Sequence, residues 1–225
     1  MAILSVRVSK RFSFAIGTAI AVFACVALGN WQLERLKWKK DLIAGIVAGL
    51  SATPVELNAS VPEWRRVTIS GVWLNEAPFF VGPVSKRGRA GWYVVSPLRS
   101  GDSSILFVNR GFSPNKARYL KSAGKVRNLL GIIRKPKRAG VFVPDNNPIA
   151  EEWFRVVPVD FARARDLKGV LPFWVDALEV PAGSTLIANV TPQLPPNNHL
   201  EYAVTWYAFA FTAAVIALLF WMKNK

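Results

Sequence analysis

The chain has 225 residues, 52% of them hydrophobic, and a formal net charge of +15 from 29 Lys+Arg against 14 Asp+Glu. Its single cysteine, Cys25, excludes an internal disulfide and a zinc site of several thiolates. With one histidine, His199, and two methionines, Met1 and Met222, a resident copper centre lacks donors.

The basic residues are scattered and accompany no nucleic-acid-binding signature, so nucleic acid is set aside as a partner. Anionic lipid or an acidic protein remains. A haem held by one axial imidazole also remains open. The hydrophobic excess gathers at the two ends of the chain, which makes it a matter of topology rather than of a large core.

Phe12 to Leu33 contains no charged residue. As a helix it measures about 33 Å, enough to cross a hydrocarbon core of about 30 Å. Arg7, Lys10 and Arg11 precede it, a start that a signal peptide shares. The run is long for a signal sequence and has no small-x-small cleavage site, so a retained anchor is expected. No mitochondrial presequence is visible.

The helix is expected to continue from Glu34 to Leu50, with Leu36, Ile43, Val47 and Leu50 at helical spacing. Ser51-Ala52-Thr53-Pro54 ends it. Short runs rich in β-branched and aromatic residues follow, read as strands at Arg65–Leu74, Pro78–Gly82, Gly91–Leu98, Ser104–Asn109, Val126–Ile133, Phe142–Pro144 and Phe173–Val180. Turn signals separate them at Asn75-Glu76, Lys86-Arg87-Gly88, Ser100-Gly101-Asp102, Ser122-Ala123-Gly124 and Asp145-Asn146-Asn147-Pro148. A short helix is predicted after Pro158, through Phe161 and Ala164. Thr191 to Asn198 reads as an extended linker.

Tyr202 to Met222 is a second charge-free run of spanning length, with Tyr202, Trp206 and Trp221 at its ends as Phe12 and Trp31 are on the first. No Lys or Arg lies between Lys168 and Lys223, whereas Lys223 and Lys225 close the chain. The bias places the C-terminus in the cytoplasm, and two spans place the N-terminus there too. The expected organisation is residues 1–11 cytoplasmic, 12–33 transmembrane, 34–196 an extracytoplasmic domain, 197–222 membrane entry and second span, and 223–225 a cytoplasmic tail. The expected fold class is two transmembrane helices flanking an antiparallel β-rich domain, a small barrel or a sandwich. Small residues at Gly17, Ala21, Ala213 and Ala217 are expected to let the spans approach closely.

Catalytic motifs are missing. There is no phosphate-binding glycine loop, Gly-x-Ser-x-Gly, His-Glu-x-x-His or Cys-x-x-Cys, and a triad has only His199 to draw on. No enzyme is expected. His199 stands at the outer mouth of the second span, where spacing puts Tyr202 and Trp206 on its face. The first span's mouth carries Trp31, Gln32, Arg35 and Lys37. An imidazole with flat aromatics and cations suits an axial ligand, ring contacts and propionate partners. The plainer reading is a structural histidine among interfacial aromatics and headgroup-binding cations.

At these residues the chain resembles a known family. Leu28-Gly29-Asn30-Trp31-Gln32-Leu33-Glu34-Arg35 with Trp38-Lys39 is similar to the first-span motif of the Surfeit locus protein 1 family. So are Gly82-Pro83, Gly91-Trp92-Tyr93-Val94-Val95-Ser96-Pro97-Leu98, and Val108-Asn109-Arg110-Gly111-Phe112 with Pro114. Asn197-Asn198-His199-Leu200-Glu201-Tyr202-Ala203-Val204-Thr205-Trp206-Tyr207 looks like the family's second-span entry. The chain departs from the pattern at Phe112-Ser113, and after Asn147-Pro148 it matches only at Trp153-Phe154.

The resemblance implies an assembly factor for haem-copper cytochrome c oxidase in a bacterial inner membrane, with its main domain periplasmic. It implies delivery of haem A to subunit I, and subunit I and haem A synthase as partners beside the lipid bilayer. It places haem ligation on His199. Trp31, Arg35, Trp206 and Tyr202 are expected around it from their places at the span mouths, and Asn109 and Arg110 are expected candidates for partner binding. Two classes stay open: a haem A-binding chaperone, and a scaffold that stabilises subunit I intermediates without a cofactor. A module that binds anionic lipid is a third.

Overall fold

The computed structural model describes residues 10–74, 76–86, 88–116, 124–180, 184–188 and 194–223. The turn residues Asn75, Arg87, Ser122 and Ala123, the basic start at Arg7, the linker start at 191–193 and the terminal Lys225 lie outside the described residues. The chain divides into a helical unit, Met1–Gly45 with Leu194–Lys225, and a β unit, Ile46–Gln193.

Two long helices, α1 (Lys10–Ser51) and α3 (His199–Lys223), bracket the chain. Both are long and apolar enough to cross a membrane. Large apolar side chains point away from protein along them, with Phe23 75% and Phe211 72% exposed, the surface that a lipid-facing helix carries. Within the helical unit the two run antiparallel. Phe14 meets Phe220 at 4.3 Å between ring centroids near one end, and Gln32 meets His199 near the other.

The expected close approach at Gly17, Ala21, Ala213 and Ala217 is not where the helices touch most closely. Gly17, Ala21 and Ala213 line a shallow groove with Phe14 and Ile216, and a Cβ on Gly17 would meet nothing within 4 Å. Close packing occurs instead at Gly29, where an added Cβ would lie 2.8 Å from the ring of Tyr207.

In the β unit six of the seven expected strands form in the expected order, and a two-residue strand that was not expected precedes them. The strands are β1 (Val55–Glu56), β2 (Arg66–Trp73), β3 (Phe79–Lys86), β4 (Arg89–Ser100), β5 (Ile105–Ser113), β6 (Lys125–Arg134) and β7 (Val170–Ala177), with a short helix α2 (Pro158–Ala164) before β7. They form one sheet in the order β1-β2-β6-β7-β5-β4-β3. The far end of β4 also pairs with β2, Leu98 opposite Trp73, so β2, β6, β7, β5 and β4 close into a barrel. Of the two architectures expected, the chain takes the barrel. Its pairs are antiparallel except β1 with β2 and β5 with β7. The chain runs from β5 through β6, antiparallel to β7, and α2 before it reaches β7, and this long connection is what lets β7 lie parallel to β5.

Strand alternation sets two apolar layers. Leu106 and Val108 of β5 face the interior with Val67, Ile69, Leu98, Ile133, Phe173 and Val175. Phe107 faces out, into a second cluster with Phe79, Trp153 and Phe161. There Phe79 stacks on Phe161 at 4.1 Å and meets Trp153 edge-on at 4.9 Å. Phe161 comes from α2, so this aromatic group fastens the helix over the sheet. Being covered on both faces, β5 is buried at every position.

The strand expected at Phe142–Pro144 does not form. Val143 N donates to Gly140 O in a turn, and Val141 and Phe142 are 96% and 97% exposed. The composition favours a strand, but no neighbouring strand offers a ladder.

Candidate functional site

α3 begins at His199, and its residues at helical spacing, Ala203, Tyr207 and Ala210, share one stripe with the imidazole. Ala203 and Ala210 are buried. On α1 the matching stripe holds Gly29, Asn30 and Gln32. Two hydrogen bonds tie the stripes together: Tyr207 Oη donates to Asn30 Oδ1 at 2.6 Å, and His199 Nδ1 lies 2.7 Å from Gln32 Oε1.

An amide oxygen only accepts, so Nδ1 of His199 carries the proton and donates it. In the neutral tautomer that this bond selects, the lone pair is on Nε2. A ring oriented in this way, one nitrogen anchored as a donor and the other basic, is prepared to ligate a metal ion. The sequence placed Gln32 at the mouth of the span but gave it no role. Its signal, an amide in the motif of α1, needed the helix pairing to become readable.

Tyr202 and Trp31 are 56% and 51% exposed. Tyr202 lies one stripe away from Ala203, and Trp206 is half-buried with its ring edge-on to Phe209 at 6.0 Å. Arg35 sets its guanidinium 4.2 Å over the ring of Trp38. Trp31, Arg35 and Trp38, spaced by four and three, form an aromatic–cation–aromatic stripe along α1.

Asn109 and Arg110 sit within β5 and are both 5% exposed. Alternation sends them to opposite faces. Arg110 lies 4.6 Å over the ring of Trp73, at the edge of the interior cluster. Asn109 donates Nδ2 to Asp176 Oδ1 at 2.8 Å, and its Oδ1 accepts from Gly111 N at 3.2 Å. Gly111 has φ +137°, and a Cβ there would stand 2.6 Å from Ile187 O, so the glycine answers a backbone requirement.

Asp176 is the hub of a polar group on the outer face of the barrel. Trp174 Nε1 donates to its Oδ1 at 3.1 Å and Arg134 Nη1 to its Oδ2 at 3.1 Å. Arg134 in turn lies 4.1 Å over the ring of Trp64. Burial pushes the Asp176 carboxyl above the ordinary carboxylate range, against the opposing pull of Arg134, Asn109 and Trp174. Nothing in the sequence pattern marked Asp176 or Arg134. Their grouping depends on the register Ile132 opposite Asp176 and Asn109 opposite Asp176. Among the described residues no group of three or more His, Cys, Asp or Glu side chains is placed to hold a metal ion.

The comparisons with known proteins agree in extent. The SURF1 family model matches residues 19–211. A SURF1-like protein of Monosiga brevicollis is 30% identical over 88% of this chain and 83% of its own length. Surfeit locus protein 1 of Homo sapiens is 30% identical over 88% of this chain and 72% of its own. A SURF1-like protein of Dictyostelium discoideum is 26% identical over 84% of this chain and 90% of its own. A match over both helices and the barrel, in one continuous order, establishes that this chain belongs to the SURF1 family.

Proposed function

We propose that this chain is a membrane-anchored assembly factor that takes haem A on His199 and passes it to subunit I of a haem-copper cytochrome c oxidase. Membership of the SURF1 family implies a role in cytochrome c oxidase assembly, and the proposed role is non-enzymatic. Two helices of spanning length give the chain its membrane character.

The observation that carries the finer reading is the bond from His199 Nδ1 to Gln32 Oε1. In the neutral ring it puts the lone pair on Nε2, at the start of α3. Bound haem iron would supply an electrophilic centre for that lone pair. In the proposed membrane, a bacterial inner membrane, both termini are cytoplasmic and residues 34–196 periplasmic. The site then sits near the outer leaflet. Arg35 and Lys37 are the proposed propionate partners, and Trp31, Tyr202 and Trp206 the proposed ring contacts.

Haem A synthase is the proposed donor of the cargo. The protein purified from cells that make haem A should carry a haem spectrum, and His199→Ala should insert normally but lose it. A wild-type protein that comes out free of haem while still supporting assembly favours the scaffold reading. That reading draws on the polar and aromatic group around Asp176, Arg134 and Trp64 on the outer face of the barrel.

A further inference from the structure

Between β6 and α2 the chain leaves the barrel in a loop, residues 135–157. Its first limb is exposed at every position from Lys135 to Asp145. The tip presents Val141 and Phe142, 96% and 97% exposed, and the returning limb presents Ile149, 98% exposed. A soluble surface rarely spends three large apolar side chains in this way, and such a patch marks an interaction site.

The charge beside it is one-sided. From Lys125 to Pro144 the chain carries Lys125, Arg127, Arg134, Lys135, Lys137 and Arg138 and no carboxylate. Lys135, Lys137 and Arg138 immediately precede the apolar tip. A cleft of about 370 Å³ opens between the two limbs and α2, with Lys137, Arg155 and Arg163 against Asp145 and Asp160 in its lining. Arg155 gives one guanidinium nitrogen to Asp145 at 2.9 Å, while its Nε is buried and makes no hydrogen bond among the described residues.

The loop is also well founded. Asn146 Nδ2 donates to Asp160 Oδ2 at 2.9 Å and to Arg155 O, and its Oδ1 accepts from Phe154 N and Arg155 N. The base is thus pinned to α2 while the tip stands free of protein.

We propose that the 135–157 loop is a membrane-docking element: Val141, Phe142 and Ile149 enter the interface of a bilayer. Lys135, Lys137 and Arg138 meet anionic headgroups, and the cleft at Arg155 seats a lipid phosphate. Apolar side chains flanked by cations are the composition that partitions into an anionic interface. An acidic protein surface would match the cations but leave the apolar tip in water. A neutral apolar groove would cover the tip but waste the cations. Both ends of the β unit run into helices of spanning length, so a bilayer is tethered to this loop at all times and weak docking suffices.

The test uses the full chain in reconstituted vesicles. In a Cys25→Ser background, an environment-sensitive fluorophore is attached at Phe142→Cys. The control carries it at Gly101→Cys, an exposed turn where an added Cβ meets nothing. Quenching by lipid-borne nitroxides is compared with quenching by aqueous acrylamide. Vesicles are of phosphatidylcholine alone or mixed with phosphatidylglycerol.

Docking predicts lipid quenching and loss of acrylamide access at position 142 but not at 101, stronger with phosphatidylglycerol. Each of Lys135→Gln, Lys137→Gln and Arg138→Gln should lower the docked-to-free ratio by about fivefold. Equal behaviour at 142 and 101 overturns the proposal, as does quenching indifferent to the cations. Protection of position 142 that appears only when purified oxidase is added assigns the loop to a protein partner and also overturns it.

Discussion

The ring of Tyr207 lies against the backbone of Gly29, so close that a Cβ on that glycine would stand 2.8 Å from Cε1, and its hydroxyl is tied to Asn30 at 2.6 Å. The ring is held at both its face and its tip, so it has little room to retreat. Gly29→Ala should therefore cost about 1–3 kcal/mol through overpacking, offset by up to about 1 kcal/mol of improved helix propensity. Gly29→Val should separate the helices outright. Crosslinking between cysteines placed at positions 14 and 220, and at 32 and 199, measures the separation at each end.

Glu151 anchors the aromatic group under α2. Its carboxylate accepts from Arg165 at 2.6 and 3.0 Å and from Trp153 Nε1 at 3.2 Å. The Arg165 guanidinium lowers the Glu151 pKa from its ordinary 4.5, with Trp153 assisting and burial opposing. The folded value lies below the unfolded one, so the contribution to stability is full above the ordinary carboxylate range and is lost as pH falls through the depressed value. Half of this side chain is exposed and solvent screens the pair, so the effect is modest. Thermal unfolding of wild type and Glu151→Gln between pH 7 and pH 3 should converge at the acid end. A constant gap across that range would assign the difference to packing alone.

Phe161 is the residue by which α2 holds the sheet, fully buried against Phe79, Phe107 and Trp153. Phe161→Ala should destabilise the β unit by about 3–5 kcal/mol. The loss should show as early denaturant unfolding, with hydrogen exchange rising first across residues 145–167.

Asn109 and Arg110 drew attention in the sequence as partner-binding candidates, and their burial changes what a substitution there reports. Asn109→Ala removes a partner from Asp176 and from the Gly111 amide, which costs about 1–3 kcal/mol. Arg110→Ala removes the stack on Trp73. Oxidase assembly should fall with both in proportion to the amount of folded protein. Assembly lost at full folded protein would return Arg110 to the list of contact residues, and the two quantities are read together by quantitative blotting and oxidase activity.

Local pattern carried much of the fold. The two charge-free runs announced α1 and α3, and runs of β-branched and aromatic residues located β2 to β7, because both are properties of neighbouring residues. Closure of the barrel was beyond such reading, since the pairing of Leu98 with Trp73 joins segments with no common local signal. Phe142 misled for the opposite reason: its neighbourhood has strand composition but no partner strand. The site divides in the same way. His199 was visible as the sole imidazole at the mouth of a span, whereas its acceptor on Gln32 depends on two helices far apart in sequence. Asp176 looked like any strand acid until β5, β6 and β7 were set side by side.

Gln32 supplies the sharpest test of the His199 reading. If the imidazole ligates iron through Nε2, the acceptor on Nδ1 holds the ring in place and raises its basicity, and an outer partner of this kind is worth about 10–100-fold in affinity. Gln32→Leu should weaken haem binding by that factor while leaving the spectrum of the bound form in the same class. Gln32→Glu, a stronger acceptor, should tighten binding and slow release, and a carrier that releases slowly should assemble less oxidase. His199→Ala should abolish binding. Titration of the three variants with haem, followed by absorbance, gives the order Glu above Gln above Leu at position 32. If haem affinity is unchanged across that series while His199→Ala still abolishes it, the hydrogen bond only shapes the helix pair. If affinity is unchanged in His199→Ala as well, the imidazole is not the ligand and the scaffold reading takes its place.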